Sequence, residues 1–141
     1  MKRPPALKEH DRAVILSPAG RIDAHHVTGA AALLKKWGLE PLTASHALGN
    51  QGRYSGSVEE RLADLQQAMD DPSVRLILCS RGGYGVVHLL SHIDFTSFKS
   101  NPKWVVGYSD VTALHAALQR QGVASLHAPM AKHLAEEGEG D

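Results

Sequence analysis

The chain has 141 residues, enough for one domain with a buried core, and its 43% apolar and 21% charged make-up suits a soluble globular protein. Fifteen basic residues balance fifteen acidic ones, so the formal charge is zero with the histidines neutral, which excludes a non-specific nucleic-acid or acidic-membrane binder. The N-terminal MKRPPALKEHDR has no apolar run of the kind a signal peptide carries, no stretch reaches transmembrane length, and the single Cys79 fits a reducing compartment, so a cytoplasmic location without a membrane partner is expected.

In chain order, residues 1–16 read as an N-terminal extension and the first strand. Its apolar run, Ala13-Val14-Ile15-Leu16, is stopped by Ser17-Pro18-Ala19-Gly20. Asp23 is placed to cap the next helix, along which Val27, Ala30, Ala31, Leu34 and Trp37 recur at helical spacing, and Gly38 stands where a C-terminal cap belongs. Leu39 to Thr43 predicts a short strand, held to a sheet edge by Pro41, and Ala44 to Gly56 predicts a loop. Ser57 and Glu60 form a capping-box pattern ahead of Val58, Leu62, Leu65 and Met69 on one helical face. Asp71-Pro72 ends that helix, and Val74 to Cys79 is the next strand.

After it comes Ser80-Arg81-Gly82-Gly83-Tyr84-Gly85, then a short helix through Leu90 and a polar connection over Lys99 to Lys103. Trp104 to Gly107 forms a fourth strand, followed at once by a helix that Gly122 ends. Val123 to His127 predicts one more strand, and residues 131–141 an acidic, frayed tail. Strands of continuous apolar character alternating with helices imply an α/β fold over residues 13–130, a parallel sheet with helices on both faces. Function in such sheets gathers at the carboxyl ends of the strands, where SPAG, SRGGYG and GYSD lie.

The stretch Gly107-Tyr108-Ser109-Asp110 puts a serine on a tight strand-to-helix turn. Such a turn exposes the serine Oγ, and the N–H of the next residue, at a helix start, can donate to an oxyanion beside it. The pattern lacks the second glycine of G-x-S-x-G, since Val111 stands there. A plain N-cap serine explains the local sequence as well. The run Arg81-Gly82-Gly83-Tyr84-Gly85 has neither dinucleotide nor Walker spacing, but its N–H groups can serve a phosphate or an oxyanion. Arg81 is either a solvated loop charge or a fork for a substrate carboxylate.

The other reactive side chains carry less. His115 falls nearly two turns beyond Ser109 on the same helix and is assigned to packing or surface. His127 ends a neighbouring strand and is structural or substrate-lining. His88 and His92, spaced i, i+4, lack a third ligand, and His25 and His26 point apart, so no metal is expected. Cys79 closes a buried strand.

Ser17-Pro18-Ala19-Gly20, Gly56-Ser57 with Glu60-Arg61 and Asp64-Leu65, Cys79 to Gly85, Gly107 to Asp110 with Thr112-Ala113-Leu114, and His127-Ala128-Pro129-Met130 follow one another in order. Together they resemble the N-terminal half of the LD-carboxypeptidase family, serine peptidases that trim muropeptides, with relatives that hydrolyse microcin C-type antibiotics. The resemblance implies a serine carboxypeptidase that cuts the bond to a terminal D-alanine in a murein tetrapeptide and needs no cofactor. It implies Ser109 as nucleophile, the N–H groups of Gly83 and Asp110 as the oxyanion hole, and Arg81 and Tyr84 as substrate-binding side chains. It places the triad's glutamate and histidine in a C-terminal domain beyond this chain, and hence implies that the chain alone is inactive. His127 lies in a segment where Ala128 replaces a usual glycine, and is not the base. The expected partners are a peptide substrate, that C-terminal domain, and a second copy of the chain through an unpartnered apolar surface near Pro129 and Met130. A different class stays open beside it: a non-catalytic flavodoxin-like module that holds a small phosphate or carboxylate at its glycine loops.

Overall fold

A computed structural model describes residues 1–140. Five parallel strands form one sheet in the order β2-β1-β3-β4-β5, the doubly wound flavodoxin-like arrangement: β1 (Arg12–Leu16), β2 (Glu40–Thr43), β3 (Val74–Cys79), β4 (Trp104–Gly107) and β5 (Leu126–His127). Pro41 lies opposite Ala13 on the edge strand β2, where its missing N–H costs the sheet nothing.

Alternation along the strands sorts the core into two layers. Val14, Leu16, Ile77, Cys79 and Val105 face α2 (Val58–Asp70), α3 (Val87–Leu90), α4 (Thr96–Ser100) and α5 (Thr112–Arg120), from which Leu65, Met69, Leu89, Phe98, Leu114 and Leu118 fill the space. Ala13, Ile15, Leu76, Leu78 and Val106 face α1 (Ala24–Lys36) and α6 (Ala131–Gly140). That second layer is thinner. Beside β4 and β5 it leaves an apolar groove of about 380 Å³ whose lining includes Leu7, Trp104, Leu126 and Pro129.

Local rules set most boundaries. The Ser57–Glu60 capping box is formed in both directions, with Glu60 N–H donating to Ser57 Oγ at 3.1 Å and Ser57 N–H to Glu60 Oε1 at 3.0 Å. Gly38 and Gly122 leave their helices at φ of +88° and +79°.

Five expectations are corrected. Asp23 occupies the N-cap position of α1 without a side-chain capping bond. The last strand is only Leu126–His127, because the Val123 side is taken by a bridge to Lys2. The polar connection near Lys99 contains α4, anchored by the fully buried Phe98. Residues 131–140, expected as a frayed tail, form α6, whose buried Ala131 and Ala135 pack against α1, Ala135 close over Gly29; Asp141 lies outside the described residues. Met130 is buried rather than part of an apolar scar. Among the described residues no helix is long and apolar enough to cross a membrane.

Candidate active site

The loops leaving β1, β3 and β4 meet at the carboxyl edge of the sheet. Ser17 Oγ donates to Ala47 O at 2.7 Å, so the 2.6 Å contact with Ser80 Oγ has Ser80 as the donor. Ser55 Oγ donates to Ser17 O at 2.7 Å, and Gly20 N–H to Gly82 O at 3.0 Å. This buried serine network ties the first loop to the third strand with no charge involved.

Ser109 follows β4 directly. It is not an N-cap: it starts a 3-10 turn, Ser109–Val111, and its own φ is +62°, one of two positive values among the described non-glycine residues. A left-handed serine costs of order 1 kcal/mol and persists only where neighbours impose it. Two of those neighbours are visible. A Cβ on Gly107 would stand 2.8 Å from the Val111 side chain, so only glycine lets the turn fold back this tightly. A Cβ on Gly82 would stand 3.2 Å from both Ser109 Cβ and Oγ and 3.6 Å from Asp110 N, so the glycine loop lies directly against the serine. The Asp110 carboxylate closes the contact by accepting the N–H of Val86 at 2.9 Å.

The glycine loop itself is left-handed where it must be. Gly83 (φ +101°) packs its backbone against Gly20, and Gly85 (φ +128°) packs against Arg61, where a Cβ would come within 2.7 Å of Nη1. Arg61, 2% exposed, is the fastener of this edge. Its Nε donates to Gly56 O at 3.1 Å and its Nη1 to Pro18 O and Gly85 O, both at 3.0 Å, while its guanidinium lies over the Tyr54 ring at 4.7 Å. Sequence reasoning had Arg61 only as part of a motif; nothing in its neighbours marks an arginine as buried. Asp64 plays a smaller part of the same kind, accepting His46 N–H at 2.9 Å, and burial raises its carboxyl pKa.

The other singled-out residues fall as follows. Arg81 donates from Nη1 to Arg21 O at 3.3 Å and stays half-buried beside the serine loop. Tyr84 is exposed on the rim, with its ring edge-on to His88 at 5.2 Å. His115 has both ring nitrogens engaged, with Ser125 Oγ at 2.6 Å and Gly107 O at 2.8 Å, so it buttresses the serine turn from below. Cys79 is fully buried, and burial pushes its thiol up to about 12, which leaves it inert at neutral pH.

His133, which the sequence did not single out because its segment read as a tail, bonds the Tyr108 hydroxyl at 2.8 Å. It lines a cavity of about 610 Å³ with Tyr108, His127 and Glu136, on the β5 side of the serine turn. Among the described residues no side chain hydrogen-bonds Ser109 Oγ.

Asp23, His25 and His26 bring three donor atoms within 4.8 Å of one another, and the two imidazole rings, expected to point apart, lie with their centroids 4.0 Å apart. Arg21, Arg81 and Lys132 surround the same place, which raises its potential against a divalent ion.

The model of the LD-carboxypeptidase N-terminal domain matches residues 14–128. Among curated relatives, a Streptomyces coelicolor protein bearing a carboxypeptidase name is 37% identical over 92% of this chain and 43% of its own length. The murein tetrapeptide carboxypeptidase of Pseudomonas aeruginosa is 31% identical over 87% and 40% respectively. Among solved structures, the MccF-like protein of Bacillus anthracis superposes with a TM-score of 0.86 at 30% identity, covering 96% of this chain and 42% of that one. The chain thus spans about two fifths of the length of the curated relatives it matches.

Proposed function

The chain belongs to the LD-carboxypeptidase family, through that family's N-terminal domain, and from this premise we propose that it carries the nucleophile and oxyanion hole of a serine carboxypeptidase acting on murein tetrapeptides. The single observation that carries the reading is Ser109 at φ +62° with a glycine loop packed on its Oγ. A capping serine has no need of left-handed backbone. An exposed nucleophile on an elbow does.

In the proposed reaction Ser109 Oγ attacks the carbonyl carbon of the penultimate residue and its proton passes to a base. The carbonyl oxygen becomes an oxyanion held by the N–H groups of Gly83 and Asp110. The C–N bond then breaks, D-alanine leaves with the proton returned to its nitrogen, and water hydrolyses the acyl-serine. The Asp110–Val86 bond and the Arg61 bonds keep the two donor loops in register, the kind of preorganisation that makes such donors effective. Arg81 and Tyr84 are the substrate-facing side chains of this reading. The base and its partner come from the family's C-terminal domain. His115 is unsuited, because both its nitrogens are engaged elsewhere. Studied by themselves, these 141 residues are expected to associate through the apolar groove beside β5.

The test is release of D-alanine from a murein tetrapeptide. The chain alone is expected to be silent. Fused to the C-terminal half of the Streptomyces coelicolor relative, it is expected to turn over, with the Ser109→Ala variant at least about 10³-fold slower. Turnover in the fusion that survives Ser109→Ala would overturn the assignment.

A further inference from the structure

The serine turn is gripped from behind by a histidine. α5 carries His115 in its first turn, beside Leu114, which is buried in the core. The half-buried ring spans the elbow and the loop that follows the helix: Nε2 lies 2.8 Å from Gly107 O, and Nδ1 lies 2.6 Å from Ser125 Oγ. A carbonyl oxygen only accepts, so Nε2 carries the proton. In the neutral ring Nδ1 is then the acceptor, and Ser125 Oγ donates to it. Protonating the ring would leave the bond to Gly107 O in place and turn Ser125 into the acceptor. Gly107 O also takes the N–H of Ala128 at 3.2 Å, so both of its lone pairs are engaged. One donor comes from the segment after β5 and the other from α5. The peptide plane between Gly107 and Tyr108 is thereby fixed from two sides.

From that plane to the peptide of Ser109 only the φ and ψ of Tyr108 intervene, at −150° and −170°. Ser109 then turns left-handed at +62°, and the turn closes on one long bond, Val111 N–H to Tyr108 O at 3.3 Å. A turn that is strained and weakly bonded within itself has its direction set from outside. We infer that His115, with its tautomer set by Ser125, is the positioning residue of the elbow: through Gly107 O it aims Ser109 Oγ and the Asp110 N–H. The inference rests on Ser109 being the nucleophile. The task lies in the transition state, not in packing and not in base catalysis. The oxyanion donors act only as charge develops on the carbonyl oxygen, so a turn freed to swing slows the reaction and leaves substrate binding as it was. A leucine would fill much of the space of the ring and leave Gly107 O one donor short.

The experiment measures kcat and KM for D-alanine release by the fused protein, beside imidazole nitrogen resonances and amide exchange in the isotope-labelled 141-residue chain. His115→Leu is expected to lower kcat about 10–10²-fold, the effect of a misplacement of about 1 Å, with KM nearly unchanged. His115→Gln, whose amide nitrogen reaches the place of Nε2, is expected to recover most of that loss. His115→Asn, whose amide reaches only the place of Nδ1, is expected to recover little. Ser125→Ala frees the neutral ring to carry its proton on Nδ1, and is expected to lower kcat less than His115→Leu does. In the wild-type chain the resonances are expected to place the proton on Nε2, and in Ser125→Ala to show both tautomers. Exchange of the Val111 amide is expected to quicken in His115→Leu. If the leucine variant does not fold, the glutamine and asparagine variants and Ser125→Ala carry the same test. A Ser109-dependent kcat unmoved by His115→Leu, a rise in KM with kcat unchanged, a loss that asparagine restores as well as glutamine, or an Nδ1-protonated ring in the wild type would overturn the inference. Turnover that survives Ser109→Ala would sink the serine reading instead, while the tautomer and the Val111 exchange still decide whether His115 sets the turn.

Discussion

The interior of the sheet and its carboxyl edge are built on opposite terms. In the interior, β1, β3 and β4 alternate their apolar side chains between two layers, and residues such as Ile15, Ile77 and Leu78 are buried with ordinary backbone. At the edge, a few residues away, Gly83, Gly85 and Ser109 sit at φ +101°, +128° and +62°, and a buried arginine ties three loop carbonyls together. The interior is stabilised by area removed from water. The edge is held by hydrogen bonds and close backbone approach, at a cost in strain that the interior offsets. A fold of this kind can carry a reactive serine because the two tasks fall on different residues.

If that division is right, damage to the interior has the largest effect on stability. Leu78→Ala is expected to cost about 2–5 kcal/mol in urea unfolding, since it removes a 2%-exposed side chain from the layer that faces α1 and α6. A loss under 1 kcal/mol would mean that the α1–α6 layer is loosely packed. At the edge, Gly85→Ala drives a methyl to within 2.7 Å of Arg61 Nη1 at a left-handed position. It is expected to cost about 1–3 kcal/mol and to loosen the glycine loop, read as faster amide exchange at Gly83. A neutral Gly85→Ala would show that Arg61 is not the fastener.

Two titrating groups sharpen the comparison. Lys103 is fully buried, its Nζ donating to Ala68 O at 3.0 Å and to Asp71 O, and burial pulls its pKa down to about 8. Below that pH the folded and unfolded chains both carry the proton. From about 8 upward the folded state loses it first while the unfolded lysine keeps it, so stability rises with pH, by about 1.4 kcal/mol per unit. Cys79 works the other way. With its pKa pushed up to about 12 from 9.0, the unfolded thiol ionises first above pH 9, and stability falls. The expected profile is a rise of about 0.5–1 kcal/mol between pH 8 and 9, a plateau to about pH 10.5 where the two groups offset, and a fall beyond it. Lys103→Met should abolish the rise. A flat wild-type profile over that unit would contradict the lysine's low pKa.

The same division decided what the sequence made legible. Interior strands were readable to within a residue because their apolar runs and the punctuation by SPAG, Asp71-Pro72 and Gly122 are local signals. The glycine loop and the serine turn were readable as unusual because glycine and serine there have no packing role. What the sequence hid was long-range. Nothing local distinguishes the buried Arg61 and Lys103 from solvated cations, since the carbonyls that take the Arg61 Nη1 lie 24 and 43 residues away and those that take the Lys103 Nζ lie 32 and 35 residues away. The acidic composition of residues 131–140 masked α6, whose ordering comes from alanines packed against α1, and with it His133 and Lys132. The N-cap reading of Ser109 failed because a cap and an elbow share the same local letters and differ only in φ.

The central claim is that Ser109 holds strained backbone for a chemical purpose. Ser109→Gly removes the left-handed penalty and the hydroxyl together. Urea unfolding of this variant is predicted to show a gain of about 0.5–1 kcal/mol over the wild-type chain, while the fused protein carrying it releases no D-alanine. A variant that is less stable than wild type, or one that is more stable yet still releases D-alanine, would contradict the account.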